Sequence, residues 1–200
     1  MKIGIFGGTF DPPHLGHLIL AAEAQEQLEL DHVLWVLTPF PPHKQGQIIS
    51  GLHDRMAMVM LAMAGNPLFK LSRVDIDRMP PQYAVDTVKI LKESAPRDMF
   101  FYIMGADSLN DLMEWHEPGA FVAACDGIGV MKRPGETIDV KKTEKSLPGI
   151  GKKLHTLDIP AIDIAGADIR ARVKAGRQFR YLVTDKVHQY ILNHKLYRSD

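Results

Sequence analysis

One cysteine among 200 residues, Cys125, has nothing to pair with inside the chain. An intrachain disulfide is excluded, and so are multi-cysteine zinc ribbons and iron–sulfur sites. Net charge is missing too: 24 Lys and Arg balance 24 Asp and Glu. That argues against a strongly basic nucleic-acid binder held by phosphate neutralisation, although it leaves room for a local basic pocket. Long apolar runs are absent. The longest, Ala57 to Gly65, is about half a membrane span. The apolar start at Ile3-Gly4-Ile5-Phe6 ends too soon for a signal peptide, and Asp11 follows it closely. No repeat or low-complexity tract stands out. What remains, 46% hydrophobic residues with balanced charge, suffices for a substantial core and excludes disorder. The expectation is one cytoplasmic domain over residues 1–200, monomer or homodimer, with no membrane and no nucleic-acid partner.

The residues that are present alternate in pattern. Lys2–Phe6, His32–Leu37, Phe69–Val74, Met99–Met104 and Gly127–Met131 read as strands. Leu15–Leu28, Leu52–Ala64 and Ala84–Ser94 carry apolar residues at helical spacing. This βαβ alternation predicts an α/β fold, a Rossmann-like doubly wound parallel sheet with helices on both faces. Strands that are continuously apolar fit burial on both sides. Thr38–Ser50, with Pro39, Pro41, Pro42 and Gly46, reads as a loop. Arg133–Gly151 reads as a glycine- and charge-rich connection, with Gly127–Met131 closing the strand series. Ile169–Lys174 and Asp185–Asn193 form a small C-terminal helical part, over about residues 160–200, expected to pack on the sheet edge.

The first strand runs directly into Gly7-Gly8-Thr9-Phe10-Asp11-Pro12-Pro13-His14-Leu15-Gly16-His17. In open α/β sheets, ligands bind outside the carboxyl ends of the strands at the switch point. Gly7 and Gly8 let backbone approach a ligand, and the following helix N-terminus attracts anions. His14 and His17, three residues apart, can face one site. Two imidazoles beside a helix N-terminus suit a polyphosphate, and this turn is expected to face solvent. The glycines are not spaced as G-x-G-x-x-G, and no G-x-x-x-x-G-K-[ST] run occurs. Zinc binding by the histidine pair is disfavoured, because no third ligand stands at suitable spacing. The methionines at 56, 58, 60 and 63 read as core filler, and Cys125 as a small buried hydrophobe.

The stretch from Gly7 to His17 resembles the signature of bacterial nicotinate-nucleotide adenylyltransferases, within the nucleotidyltransferase superfamily whose shorter motif is H-x-G-H. Pro41-Pro42-His43-Lys44, Gln82-Tyr83-Ala84-Val85-Asp86-Thr87, Gly105-Ala106-Asp107 with Trp115, and Arg133-Pro134-Gly135 resemble further motifs in the same order. Leu182 to Tyr197 resembles the C-terminal helix and its L-Y ending, so the likeness spans nearly the whole chain. Three departures stand out. The family's I-S-S-T-x-I-R reads here Ile164-Ala165-Gly166-Ala167-Asp168-Ile169-Arg170, with every hydroxyl gone. Gln82 and Ala84 replace the first Ser and Thr of S-Y-T-x-D-T, and Thr184 stands where proline is usual.

The resemblance implies transfer of the adenylyl group of ATP to nicotinate mononucleotide, giving nicotinate adenine dinucleotide and pyrophosphate in NAD biosynthesis. Mg2+ would accompany ATP and need few protein ligands. His14, His17, Lys44 and Arg170 would hold the phosphates and stabilise the transferring group. Gly7, Gly8, Thr9, Phe10, Gly105, Asp107 and Arg133 would bind ATP, with Asp107 meeting the ribose. Trp115 would stack on the pyridine ring. Tyr83, Ala84 and Thr87 would line that pocket, where backbone N–H groups meet the carboxylate. Phosphopantetheine adenylyltransferase fits less well, since its first motif has Thr at the place of His14. An aminoacyl-tRNA synthetase would be longer and carry K-M-S-K-S. A catalytically impaired nucleotide-binding regulator is the reading from another class, prompted by the hydroxyl-free Ala165-Gly166-Ala167.

Overall fold

The computed structural model describes residues 1–41, 49–131, 140–160 and 162–198. Its strands are β1 (Lys2–Gly8), β2 (His32–Leu37), β3 (Phe69–Ser72), β4 (Met99–Gly105), β5 (Gly127–Met131) and β6 (Leu154–Leu157). They form one sheet of six in the order β3-β2-β1-β4-β5-β6, and every neighbouring pair is parallel. The helices are α1 (Leu15–Gln27), α2 (Leu52–Met63), α3 (Ala84–Ser94), α4 (Ala106–Asn110), α5 (Pro118–Ala124), α6 (Val140–Ser146), α7 (Gly166–Lys174) and α8 (Asp185–Asn193).

The alternation of side chains along each strand sorts the core into two layers. In β4, Phe100, Tyr102 and Met104 face α3, α4 and α5, meeting Val85, Val88, Leu109 and Phe121. Phe101 and Ile103 point to the other side, toward α1 and α2, with Leu20, Ala24, Val59 and Trp35. Every residue from Phe100 to Met104 is therefore buried, as continuously apolar strands require. The doubly wound parallel sheet is the architecture expected from the alternation.

Three expectations need correction. Gly127–Met131 does not close the sheet, because β6 pairs with β5 as an edge strand. Leu154-His155-Thr156-Leu157 buries only Leu157 fully, so its apolar signal is weak. The stretch read as an irregular connection contains α6 and a short 3₁₀ turn at Ile150–Lys152. The C-terminal helices do not pack on the sheet edge. Ile169, Val173, Val187 and Ile191 close over Met58 and Ala62, on the side of α2 that the sheet leaves uncovered.

Candidate active site

Strand order reverses between β1 and β4, and a cleft of about 1150 Å³ opens at that end of the sheet. Ligands bind at this position in open parallel sheets because two neighbouring strands send their connections to opposite faces. Gly7, Gly8, Thr9, Phe10, His14 and His17 line one part of the cleft. Tyr83, Ala84, Gly105, Asp107 and Trp115 line another, and Arg170 reaches in from α7. Lys44 and Arg133 lie outside the described residues.

The β1–α1 turn is not solvent-facing as expected: Phe10 to His14 are all buried. Phe10 adopts a left-handed backbone (φ 48°) and packs its ring against Phe6 and Trp35, at 5.4 and 5.0 Å, the three rings touching one another. Gly8 makes room for that ring, since a Cβ there would lie 2.9 Å from it. A Cβ on Gly7 would lie 2.7 Å from the Tyr102 hydroxyl. These glycines serve packing beneath the cleft as well as access to it. His14 and His17 stack face to face, ring centroids 3.6 Å apart. The stack explains the glycine of H-x-G-H, because a Cβ on Gly16 would sit 3.2 Å from His14 Nδ1. The His14 backbone N–H donates to His17 Nδ1 at 3.1 Å. That bond leaves Nε2 of His17 to carry the ring proton, making it a donor. Burial holds the His14 imidazole down at about 4, so it is neutral at pH 7.

Two buried charges build this turn: Arg55, which no motif marks, and Asp11 of the signature itself. Arg55 of α2 is buried, and its guanidinium donates to four carbonyls: Thr9 at 3.1 Å, Thr38 at 2.9 Å, Pro39 at 2.8 Å and Ser50 at 2.9 Å. One side chain thereby joins the connections after β1 and β2. The available signal was its place on the buried stripe Arg55, Met58, Val59, Ala62, Met63. Asp11 accepts from the Tyr197 hydroxyl at 2.6 Å and the Ser50 N–H at 3.1 Å. Its carbonyl accepts from Arg170 at 2.7 Å. Arg170 is thus oriented by backbone while remaining on the cleft wall. Gly166 fits beneath the same carbonyl, where a Cβ would come within 3.1 Å.

At the other end, Tyr83 stacks on His116 at 4.0 Å, and Trp115 is held edge-on by Tyr102 and Phe121. Thr87 does not line the cleft. It is buried behind the Tyr83 turn, where its hydroxyl donates to Asp75 at 2.7 Å. Burial pushes the Cys125 thiol up to about 12, which removes it as a nucleophile.

The cytidylyltransferase-like family model matches residues 5–172. A nicotinate-nucleotide adenylyltransferase from Bacillus subtilis is 39% identical over 198 residues, covering 99% of both chains. A probable nicotinate-nucleotide adenylyltransferase from Thermomicrobium roseum is 42% identical, covering 99% of this chain and 92% of its own. This chain belongs to the nicotinate-nucleotide adenylyltransferase family. The solved Plasmodium falciparum nicotinic acid mononucleotide adenylyltransferase complexed with NaAD shares the fold at TM-score 0.81, with 20% identity over 98% of this chain and 97% of that one. In this adenylyltransferase, Thr184 in place of proline caps α8, its hydroxyl accepting from the Val187 N–H.

Proposed function

We infer that the protein transfers the adenylyl group of ATP to nicotinate mononucleotide, forming nicotinate adenine dinucleotide and releasing pyrophosphate. The observation that carries the reading is the stacked His14–His17 pair at the mouth of α1, inside the cleft at the strand reversal, in a chain alike over its whole length to adenylyltransferases. The nucleophile is the phosphate oxygen of the mononucleotide, ionised near neutral pH because a monophosphate's second pKa is about 6. No general base is needed. The protein's task is to align that oxygen with the α-phosphorus and to stabilise developing charge. His17 offers its Nε2 donor, while His14 supplies a neutral imidazole that a nearby polyphosphate makes easier to protonate. Arg170 adds a fixed positive charge, and the first-turn N–H groups of α7 stand beside it. Lys44 and Arg133 complete the phosphate set in this proposal, and Asp107 and Gly105 take the ribose. Trp115, Tyr83 and Ala84 take the pyridine.

Among the described residues, no three His, Cys, Asp or Glu side chains converge on a possible metal site. Magnesium would enter as part of the substrate MgATP, where a hard cation that keeps its waters needs few protein ligands and would neutralise phosphate oxygens. No described helix is long and apolar enough to cross a membrane. A cytoplasmic location and a monomer or homodimer complete the proposal; cell fractionation and light scattering check them. The activity is tested by pyrophosphate release from MgATP with a panel of mononucleotides. Turnover with nicotinate mononucleotide is expected, and failure with it under conditions where another acceptor reacts would overturn the substrate assignment.

A further inference from the structure

Behind the turn that presents Tyr83 and Ala84 to the cleft, one guanidinium holds two carbonyl groups. Arg78 Nη1 donates to the Pro81 carbonyl and Nη2 to the Tyr83 carbonyl, each at 3.0 Å. Asp75 Oδ1 accepts from Nε and Nη2 of the same side chain, both at 3.1 Å, and from the Thr87 hydroxyl at 2.7 Å. Asp75 is 3% exposed, so this carboxylate exists to hold a partner rather than to meet solvent. The fork is thereby fixed in one orientation.

A trans peptide unit points its C=O and N–H in opposite directions. The Pro81 carbonyl, held by Arg78, and the Tyr83 carbonyl, held by Arg78 together with the Asp86 and Thr87 N–H groups of α3 at 3.2 Å, belong to the peptide units that carry the N–H groups of Gln82 and Ala84. Both are trans; the cis bonds among the described residues are Asp11–Pro12 and Pro80–Pro81. These N–H groups therefore face away from Arg78. Neither donates to a partner among the described residues, and both Gln82 and Ala84 line the cleft.

We propose that Arg78, fixed by Asp75, is a positioning residue that sets substrate specificity by holding the Gln82 and Ala84 N–H groups toward the charged ring substituent of the acceptor nucleotide. The proposal rests on the reading that the acceptor is nicotinate mononucleotide. Donation from a cation to each carbonyl polarises the peptide unit and strengthens its N–H as a donor. Two such donors match an acceptor-only carboxylate. A carboxamide presents an N–H₂ to one of them and cannot satisfy both. Gln82 and Ala84 lack the hydroxyls of S-Y-T, so in this chain the discrimination falls to the backbone and to the residue that holds it.

The test compares kcat and KM for nicotinate and nicotinamide mononucleotides at saturating MgATP, in the wild type, Arg78→Met and Arg78→Lys. In Arg78→Met the KM for nicotinate mononucleotide rises about tenfold or more, the loss expected for weakening a charge-assisted contact. The KM for ATP moves far less, and the preference for nicotinate over nicotinamide narrows by a similar factor. Arg78→Lys keeps the charge beside Asp75 and loses the fork, so it falls between the two and guards against a folding defect in Arg78→Met. If either folded variant loses activity toward both mononucleotides and ATP alike, with the preference ratio unchanged, Arg78 is structural only and the proposal fails. A wild type that uses neither mononucleotide overturns the substrate reading itself, a different result from an active wild type with an unchanged ratio in the variants.

Discussion

The two helix N-termini that meet at the cleft, those of α1 and α7, are built by opposite means. The first turn of α1 is organised by side chains: His17 Nδ1 accepts the His14 N–H, and the two rings stack over Gly16. The first turn of α7 begins at Ala165 with no side-chain cap, and its order comes from outside. Gly166 slides under the Asp11 carbonyl, and Arg170 donates to that same oxygen. One end carries its own chemistry in a compact motif. The other borrows its position from the first, so the two are coupled through one carbonyl. The loss of hydroxyls from Ala165-Gly166-Ala167 is therefore compatible with the phosphate site proposed above, because the seating of α7 does not depend on them.

The comparison breaks most sharply at α1. His17→Ala removes both a charge-stabilising donor and the acceptor that orders the turn, and kcat should fall on the order of 10²-fold. Thermal melting should shift only modestly, since the loss of one helix cap costs about 1 kcal/mol. Turnover near the wild-type level would take His17 out of the mechanism.

Acid should distinguish the two ends by a smaller margin. Burial lowers His14 from 6.5 to about 4, so below pH 6.5 the unfolded chain takes up a proton that the folded chain refuses. The stabilisation is complete above 6.5 and is lost as pH falls toward 4. Between pH 7 and 5 the His14 contribution should decline by about 2 kcal/mol. Denaturant melts of the wild type and of His14→Asn at both pH values isolate it, and saturating MgATP should shrink the difference by favouring the charged imidazole. Equal pH dependence in the two proteins would show that His14 is not held neutral.

At α7 the expected effects are smallest and differ in sign. Arg170→Ala should raise the KM for ATP about tenfold through loss of a charge-assisted contact. Ala165→Ser with Ala167→Thr should lower it a few-fold, in line with one or two added hydrogen bonds of about 1 kcal/mol or less each. Gly166→Ser should do the reverse, because its Cβ would crowd the Asp11 carbonyl at 3.1 Å. Steady-state kinetics on these variants would decide it, and a uniform response at all three positions would show that α7 is not seated under Asp11.

Much of this architecture is legible in the sequence because local pattern and burial agree. His32–Leu37, Ala84–Ser94, Gly127–Met131 and Asp185–Asn193 have the boundaries that their periodicity predicts. Leu154–Leu157 is not legible, since an edge strand with exposed His155 and Thr156 has no need of apolar residues on both faces. The cleft residues identified by motif mostly converge, because a motif marks side chains that face a ligand. Thr87 was misplaced for the complementary reason: its hydroxyl matters, but it looks inward to Asp75. Arg55 and Asp75 escaped notice because a charge on a helix or in a loop is ordinarily solvated, and only the folded chain reveals that these two are buried against backbone and partner.

The bond from the Tyr197 hydroxyl to Asp11 spans 186 residues. During synthesis the turn that carries His14 and His17 emerges early, yet its last anchor emerges only after α8 has been made. The β1–α1 turn therefore exists for most of translation as an unfinished part, with Asp11 lacking one of its partners. The side chain of Asp11 therefore gains its full set of partners only once residue 197 has docked, so the order of the first turn depends on the last residues of the fold.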